Sequence, residues 1–205
     1  MFPLLLSFYE RHSSRSPEFK YCPPIREPAN QELLWEDLTT GLIDCVVSDH
    51  SPCVAELKNF ANGDIMGALG GISTLGLGLS LLWTEGRKWG VGISQIIDWT
   101  SRKTAEHAGL GHLNGQLKVG LDGDFIIWDP DAEFSVCLGF LVPVLCRTDP
   151  LVQVTADPLN SKDKVSPYVG LALRGQVEKT FLRGSLIYEK DSNRPFGDAA
   201  HGRLL

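Results

Sequence analysis

The hydrophobic and polar positions in the first half of the chain predict helices and a strand in alternating order. A helical pattern runs from Asn30 to Thr39, and the apolar residues from Gly41 to Val47 predict a short buried strand. The polar sequence SDHSP follows at 48–52, and a long apolar helix is predicted from Gly71 to Trp83. Helix, strand, polar loop and helix in this order are typical of an α/β fold.

Beyond residue 113 the pattern changes to short strands between turns. The pair Asp122-Gly123 precedes the apolar run from Phe125 to Trp128, which predicts a tight turn and then a strand. We expect Asp129-Pro130-Asp131 to close that strand, and Glu178 to Glu189 to form a hairpin that turns at Arg183-Gly184. The second half of the chain therefore predicts a small β-domain.

Composition and charge restrict the function classes. The formal net charge of -6 disfavours nonspecific nucleic-acid binding, because phosphate contacts need clustered lysine and arginine. The five cysteines include no Cys-x-x-Cys pair, so neither a zinc ribbon nor a redox motif is indicated. No apolar run is long enough for a membrane span. We expect a protein without nucleic-acid or membrane partners, in the cytoplasm or in an organelle such as the mitochondrion or peroxisome.

The SDHSP sequence is the strongest candidate for chemistry. Asp49 and His50 follow the predicted strand at its C-terminal end, where barrel and doubly wound folds place their reactive groups. An aspartate in that position can accept a proton or bind a metal. An alternative stays open on local sequence alone, in which Asp49 caps the next helix and Pro52 lies near its first position.

Several motifs occur in an order that is familiar from one enzyme family. The motifs are CPPIR at 22–26, SDHSP at 48–52, GGIS at 70–73, WTEGRKWG at 83–90, SRKTAEHAGL at 101–110, GQLKVGLDGDFIIWDPDAEF at 115–134, KVSPYVG at 164–170 and FLRGSLIYE at 181–189. On these motifs the chain resembles the C-terminal part of the cyclic amidohydrolases, and most closely the allantoinases.

The resemblance implies a metal-dependent enzyme with a TIM-type (β/α)8 barrel and a small flanking β-domain. Such enzymes open the ring of allantoin to allantoate in purine catabolism, use two divalent ions such as zinc, and form homo-oligomers. The ions lower the pKa of bound water to roughly 7 and polarise the carbonyl. By resemblance, Asp49 binds one metal and carries the proton of the attacking water to the leaving ring nitrogen.

The same resemblance implies a substrate site built from three loops. For His50 an alternative remains open, a histidine at a helix start without a ligand role. The substrate-binding residues implied are Cys22, Pro23, His50, Gly70, Gly71 and Ser73.

The sequence departs from the family pattern in its metal ligands. That pattern needs a His-x-His pair, a carboxylated lysine and further single histidines, and none of these can be placed here. The histidines, none of which forms a His-x-His pair, are His12, His50, His107, His112 and His201. One carboxylate cannot hold two ions, since such ions need several protein ligands each. We therefore expect the chain alone to be inactive, and an alternative function is that of an inactive partner of a full-length amidohydrolase.

Length leads to the same expectation. An eight-unit barrel needs about 250 residues, whereas the chain has 205. We expect a C-terminal remnant of the barrel with part of the β-domain. The predicted parts are an unmatched segment at 1–18, the last barrel units and following helices at 19–113, the partial β-domain at 114–134 and 164–190, an insertion at 135–163 and a tail at 191–205.

A third function class is an unrelated nucleotide-binding α/β protein. It is suggested by a group of glycines at and before the second predicted helix, but no Gly-x-Gly-x-x-Gly follows a strand and no P-loop is present. The glycines concerned are Gly67, Gly70, Gly71, Gly76 and Gly78.

Overall fold

The computed structural model describes residues 17–24, 26–136, 165–192, 194–196 and 199–202. His12, most of the predicted insertion and parts of the tail lie outside the described residues. Within them, short helices precede and pack against one antiparallel sheet. No helix in these ranges has both the length and the apolar character that crossing a bilayer requires.

The first helix confirms the sequence prediction. Helix α1 spans Pro28–Thr40, with the proline at its first turn, where a missing backbone N–H costs nothing. Gly41 ends it in the left-handed region at φ 84°. Trp35 and Leu38 bury its inner face in the core. The helix therefore fixes where the following segment leaves towards the SDHSP loop.

The residues after α1 do not form the predicted strand from Gly41 to Val47. Residues 44–50 have no regular secondary structure and join no ladder in the described part of the chain. Val46 is buried, and its N–H donates to Trp99 O at 3.0 Å. A barrel strand gains its hydrogen bonds from neighbouring strands, and the described residues supply none here. The prediction of a short buried strand from Gly41 to Val47 was therefore wrong, although the burial of Val46 agrees with it.

The second predicted helix begins later than expected. Helix α2 spans Gly78–Gly86 rather than starting at Gly71. Residues 71–74 have no regular secondary structure, Gly71 adopts φ 134°, and the chain turns through 75–77 before the helix begins. Further along the chain lie α3 at Ile93–Ile97, a π-turn at Asp98–Arg102 and α4 at Lys103–His107. Short 3-10 turns also occur, among them Ala55–Lys58 and Arg87–Trp89.

The sheet is antiparallel, in the order β1-β2-β3. Its strands are β1 at Phe125–Ser135, β2 at Ala172–Leu182 and β3 at Ser185–Glu189. The hairpin turn at Arg183-Gly184 confirms the prediction. Asp129-Pro130-Asp131 does not close β1 as predicted. A bulge lies there instead, in which Asp129 Oδ1 accepts the N–H of Asp131 at 2.9 Å, and the strand continues to Ser135, past the predicted boundary at 134.

Helix α2 packs across the sheet and forms the centre of the core. Trp83 meets Trp128 of β1 edge to face at 5.3 Å, and its Nε1 donates to Pro130 O at 2.8 Å. Gly175 of β2 adopts φ 86°, and a Cβ there would lie 2.6 Å from the Trp128 ring. The core continues from this contact to Tyr21, Val46, Ile72 and Tyr168, which lie below the candidate site.

Candidate active site

Four loops meet at one end of the core. They are called here the Cys22 loop, the Asp49 loop, the Gly71 loop and the Tyr168 loop, and comprise residues 20–24, 48–52, 69–74 and 165–168. Backbone hydrogen bonds join the first three, since Gly71 N–H donates to Lys20 O at 2.9 Å and Ser51 N–H donates to Ile72 O at 3.0 Å. These loops carry motifs that are far apart in the sequence, so the fold assembles the site.

The Tyr168 loop joins the site from the β-domain. Ser166 Oγ donates to Ser73 O at 3.0 Å. Tyr168 is fully buried, and burial raises the pKa of its phenol well above the ordinary value, with a smaller effect from Tyr21. The site therefore rests on both the helical part and the sheet.

Asp49 is held by a tyrosine that the sequence analysis missed. Tyr21 O–H donates to Asp49 Oδ2, and Asp49 adopts the left-handed φ of 45°, which is uncommon for a residue with a Cβ. Burial raises the pKa of Tyr21, and the hydrogen bond and charge of Asp49 raise it further. Tyr21 is thus a neutral donor. Within the described residues no hydrogen bond is made to Asp49 Oδ1, so this half-buried carboxylate presents one oxygen for chemistry.

His50 has a structural task. Its Nδ1 accepts the backbone N–H groups of Thr74 and Leu75, each at 3.0 Å. A ring nitrogen that accepts two hydrogen bonds carries no proton, so the hydrogen-bond network assigns the proton of the neutral ring to Nε2. In this tautomer Nε2 can donate to a ligand but has no lone pair for a metal. His50 does not lie at a helix start, because the next helical turn begins only at Ala55. Towards a substrate its Nε2 could act only as a donor.

The glycines of the Gly71 loop are required by close backbone approach. A Cβ at Gly71 would lie 2.4 Å from Ser51 O, and φ 134° is itself a conformation for glycine. A Cβ at Gly70 would lie 3.3 Å from Cys22 Sγ. The absence of side chains therefore lets three loops approach each other.

The structure places the predicted substrate-binding residues on loops that contact one another. Cys22 and Pro23 are exposed, whereas Ser73 is buried and its Oγ has no hydrogen-bond partner among the described residues. Sequence analysis did not single out Tyr21, Lys58, Ser166 or Tyr168. Ser166 and Tyr168 belong to the KVSPYVG motif and Tyr21 precedes CPPIR, so the motifs themselves contained a clue to three of them.

The described residues do not by themselves fit a metal centre. No group of three or more His, Cys, Asp or Glu side chains that could hold an ion occurs among them. Asp49 is a single carboxylate, and His50 Nδ1 is occupied by backbone donors. His107 and His112 are exposed, the first at the end of α4 and the second in the turn after it. No chemical step is therefore assigned to a metal here.

The sequence pattern of the amidohydrolase family matches residues 27–187, and the chain therefore belongs to the amidohydrolase family. That family is metal-dependent. The match contains α1, the Asp49 and Gly71 loops and all of β1 and β2.

The more particular similarity is to allantoinases. The chain is 42% identical to the allantoinase of Streptomyces avermitilis over 170 residues, which are 83% of this chain and 33% of that protein. It is 39% identical to the allantoinase of Arabidopsis thaliana, over 83% of this chain and 30% of that protein. It thus spans about a third of the length of these relatives.

A solved structure supports the same fold. The L-hydantoinase (dihydropyrimidinase) from Arthrobacter aurescens superposes with a TM-score of 0.73 at 28% identity, over 87% of this chain and 36% of that one. The arrangement of helices, loops and sheet is therefore part of the amidohydrolase fold.

Proposed function

We propose that this chain supplies the acid–base carboxylate and the substrate cradle of a cyclic-amide hydrolase whose substrate is allantoin. The observation that carries the proposal is the Asp49 carboxylate, held by Tyr21 through one oxygen where the glycine-rich loops meet. Family membership and the similarity to allantoinases support the substrate class. The order of the motifs supports a place in the C-terminal part of a longer enzyme.

In this proposal Asp49 moves one proton. Water adds its oxygen to a ring carbonyl carbon, and Asp49 Oδ1 accepts the proton that the water loses. When the carbon–nitrogen bond of the ring breaks, Asp49 returns the proton to the leaving nitrogen, so one water is consumed and the carboxylate is regenerated. Tyr21 remains neutral throughout and keeps the carboxylate oriented.

The cradle is a set of backbone groups rather than charged side chains. Gly70 and Gly71 permit the backbone of the Gly71 loop to approach its neighbours closely. Cys22 and Pro23, which are exposed in the facing loop, would contact the ring, and Ser73 and the Nε2–H of His50 would act as donors.

Asp49 is proposed as one metal ligand among several, with the others outside the described residues. A single carboxylate binds zinc weakly. We expect well under one tightly held zinc per chain after dialysis, as measured by elemental analysis of the purified protein. Stoichiometric zinc that survives Asp49→Ala would contradict the proposed role of Asp49 as a ligand.

The activity is tested with the chain alone and in combination. We expect no allantoin hydrolysis above the uncatalysed rate from the chain alone, even with added zinc, cobalt or manganese. Mixing with the part of the Streptomyces avermitilis allantoinase that this chain does not match should restore hydrolysis. Asp49→Asn should abolish the restored activity. The control is Asp44→Asn, which changes an exposed carboxylate five positions earlier, 3.9 Å from Lys103 Nζ.

Two outcomes decide between the candidate functions. A mixture that hydrolyses allantoin equally well with Asp49→Asn would overturn the role of Asp49. A mixture that forms a stable complex and still lacks activity would favour the inactive partner, which the lack of a metal-binding group among the described residues also supports.

A further inference from the structure

A buried lysine lies behind the Gly71 loop and has no part in the proton transfer proposed above. Lys58 is 2% exposed and ends a short 3-10 turn at Ala55–Lys58. Its Nζ donates to Gly71 O at 2.6 Å and to Leu69 O at 3.0 Å. Beside it, Leu69 N–H donates to Leu57 O at 2.8 Å. The end of this turn is thus bound to the Gly71 loop at three points.

Stability does not explain a lysine in this position. Lys58 takes part in none of the ion pairs among the described residues, and burial lowers the pKa of its amine. A buried amine loses its hydration, and the two carbonyl oxygens compensate only part of that loss. A buried charged group therefore adds little net stability, because the cost of its desolvation offsets much of what its contacts gain. The residue is therefore better explained by what it holds.

Lys58 binds the Gly71 residue, whose backbone is hydrogen-bonded on both sides. The carbonyl of Gly71 accepts from Lys58, while the N–H of Gly71 donates to Lys20 O at 2.9 Å. The next N–H, that of Ile72, donates to Ser51 Oγ at 3.2 Å. Both ends of the Gly71 residue are therefore fixed by other segments. Its orientation governs how the loop presents its remaining backbone groups.

We propose that Lys58 is a positioning residue, whose Nζ fixes the carbonyls of Leu69 and Gly71 so that the Gly71 loop is ordered for substrate. The substrate part of this inference rests on the proposed cyclic-amide hydrolysis. The ordering of the loop does not, and it can be measured without activity.

The first test is amide hydrogen exchange on the whole chain, comparing Lys58→Met with the unchanged protein. We expect the amides of 71–74 to exchange about tenfold faster in Lys58→Met, because two hydrogen bonds to the loop are lost. The amides of β2 should stay within about twofold, and the thermal midpoint should fall only modestly, because the carbonyls of Leu69 and Gly71 lose their donor. Lys58→Arg retains donors and should recover most of the protection of 71–74.

The matched control is Lys20→Met. Lys20 belongs to the same group of loops, but its Nζ donates only to Met66 O, at 3.4 Å and in an exposed position. Lys20→Met should leave the hydrogen exchange of the amides of 71–74 unchanged. Equal acceleration in β2 and in 71–74 for Lys58→Met would show a general structural role and overturn the proposal. Unchanged exchange at 71–74 would overturn it as well.

The second test uses the mixture that restores hydrolysis. A loop that positions substrate affects binding, so Lys58→Met should raise KM several-fold and leave kcat within about twofold. A fall in kcat at constant KM would overturn the substrate-positioning role. If the mixture with the unchanged chain does not hydrolyse allantoin, only the proposed function is contradicted. The hydrogen-exchange experiment tests separately whether Lys58 orders the Gly71 loop.

Discussion

The sheet region and the loop region of this chain are held together in different ways. The sheet region, β1 to β3 with α2, has an antiparallel ladder with bulges and a shared core. The loop region, the described residues of 20–74 without α1, depends on single hydrogen bonds between segments, most of which have no regular secondary structure, and several of these bonds involve side chains. The hydrogen bonds of a ladder stabilise one another, whereas the arrangement of the loops depends on each single hydrogen bond. The proposed chemistry lies in the second kind of structure.

The burial of apolar side chains also differs between the two regions, as the most buried leucines of the sheet region and the most exposed apolar side chains of the loop region show. Leu81 of α2 and Leu173 of β2 are almost fully buried, at 0% and 1% exposure. In the loop region Leu42 is 76% exposed and Met66 is 81% exposed. Exposed apolar side chains give no stabilisation from burial. The sheet region is therefore expected to determine the free energy of unfolding, and the loop region to open first.

The largest effect is expected from the core between α2 and the sheet. Leu81→Ala removes a fully buried side chain and should lower the free energy of unfolding by about 2–5 kcal/mol, measured by urea denaturation. The control is Leu75→Ala, at a position that is 48% exposed, which should cost far less. Similar losses for both variants would show that the sheet region does not dominate stability.

The second effect compares one glycine from each region. In each variant, Gly71→Ala or Gly175→Ala, the alanine would have to adopt the positive φ of the glycine. Its Cβ would lie 2.4 Å from Ser51 O at position 71 and 2.6 Å from the Trp128 ring at position 175. Each should cost about 1–3 kcal/mol in strain. Hydrogen exchange should reveal the difference, since Gly175→Ala should accelerate exchange throughout the sheet and Gly71→Ala chiefly in the loops. Gly92→Ala, with open space around its Cβ, is the control.

The sequence predicts elements with local determinants better than elements that depend on distant segments. The hairpin at Arg183-Gly184 and helix α1 were predictable because their determinants, a turn pair and an apolar periodicity, are local. The strand from Gly41 to Val47 was predicted from its apolar residues but has no partner strand in the described chain. A run of apolar residues indicates that a segment is buried. Whether that segment pairs as a strand depends on other segments that supply its hydrogen bonds.

The candidate site was predictable in its loops and not in its contacts. The motifs identified the Asp49 and Gly71 loops, but the Tyr21–Asp49 hydrogen bond joins residues 28 positions apart. Lys58 looks like an ordinary surface lysine in the sequence, and only the path of residues 69–71 turns it into a buried donor. Side-chain contacts between distant loops depend on the whole fold.

A smaller effect is expected from the tyrosine in the loop region. Tyr21→Phe removes the hydrogen bond to Asp49 and should cost about 1 kcal/mol near pH 8. The folded state raises the pKa of Tyr21 above its ordinary value of 10.0, so this stabilisation is fully present below pH 10. Above that pH the unfolded tyrosine loses its proton first, and the stabilisation decreases.

The measurement is urea denaturation of both proteins at pH 8 and above pH 10. The stability difference between the unchanged protein and Tyr21→Phe should become smaller at the higher pH. A difference that grows with pH would contradict the role of Tyr21 as a neutral donor. Tyr168 is present in both proteins, so the larger cause of its raised pKa, burial, cancels in the comparison, and only the smaller effect of Tyr21 on it does not.

The smallest effect is expected from a surface contact in the sheet region. Arg87 Nη1 lies 3.3 Å from Asp131 Oδ1, and the guanidinium lies 5.4 Å from the centroid of the Trp83 ring. Both charged side chains are well exposed, so the ion pair should contribute no more than about 0.5 kcal/mol and should weaken with salt. Arg87→Gln tests this by urea denaturation at low and high ionic strength. The ladder and core already hold this region together, and for that reason the loss should be smaller than that of Tyr21→Phe. A larger loss would mean that single side-chain contacts matter as much in the sheet region as in the loops.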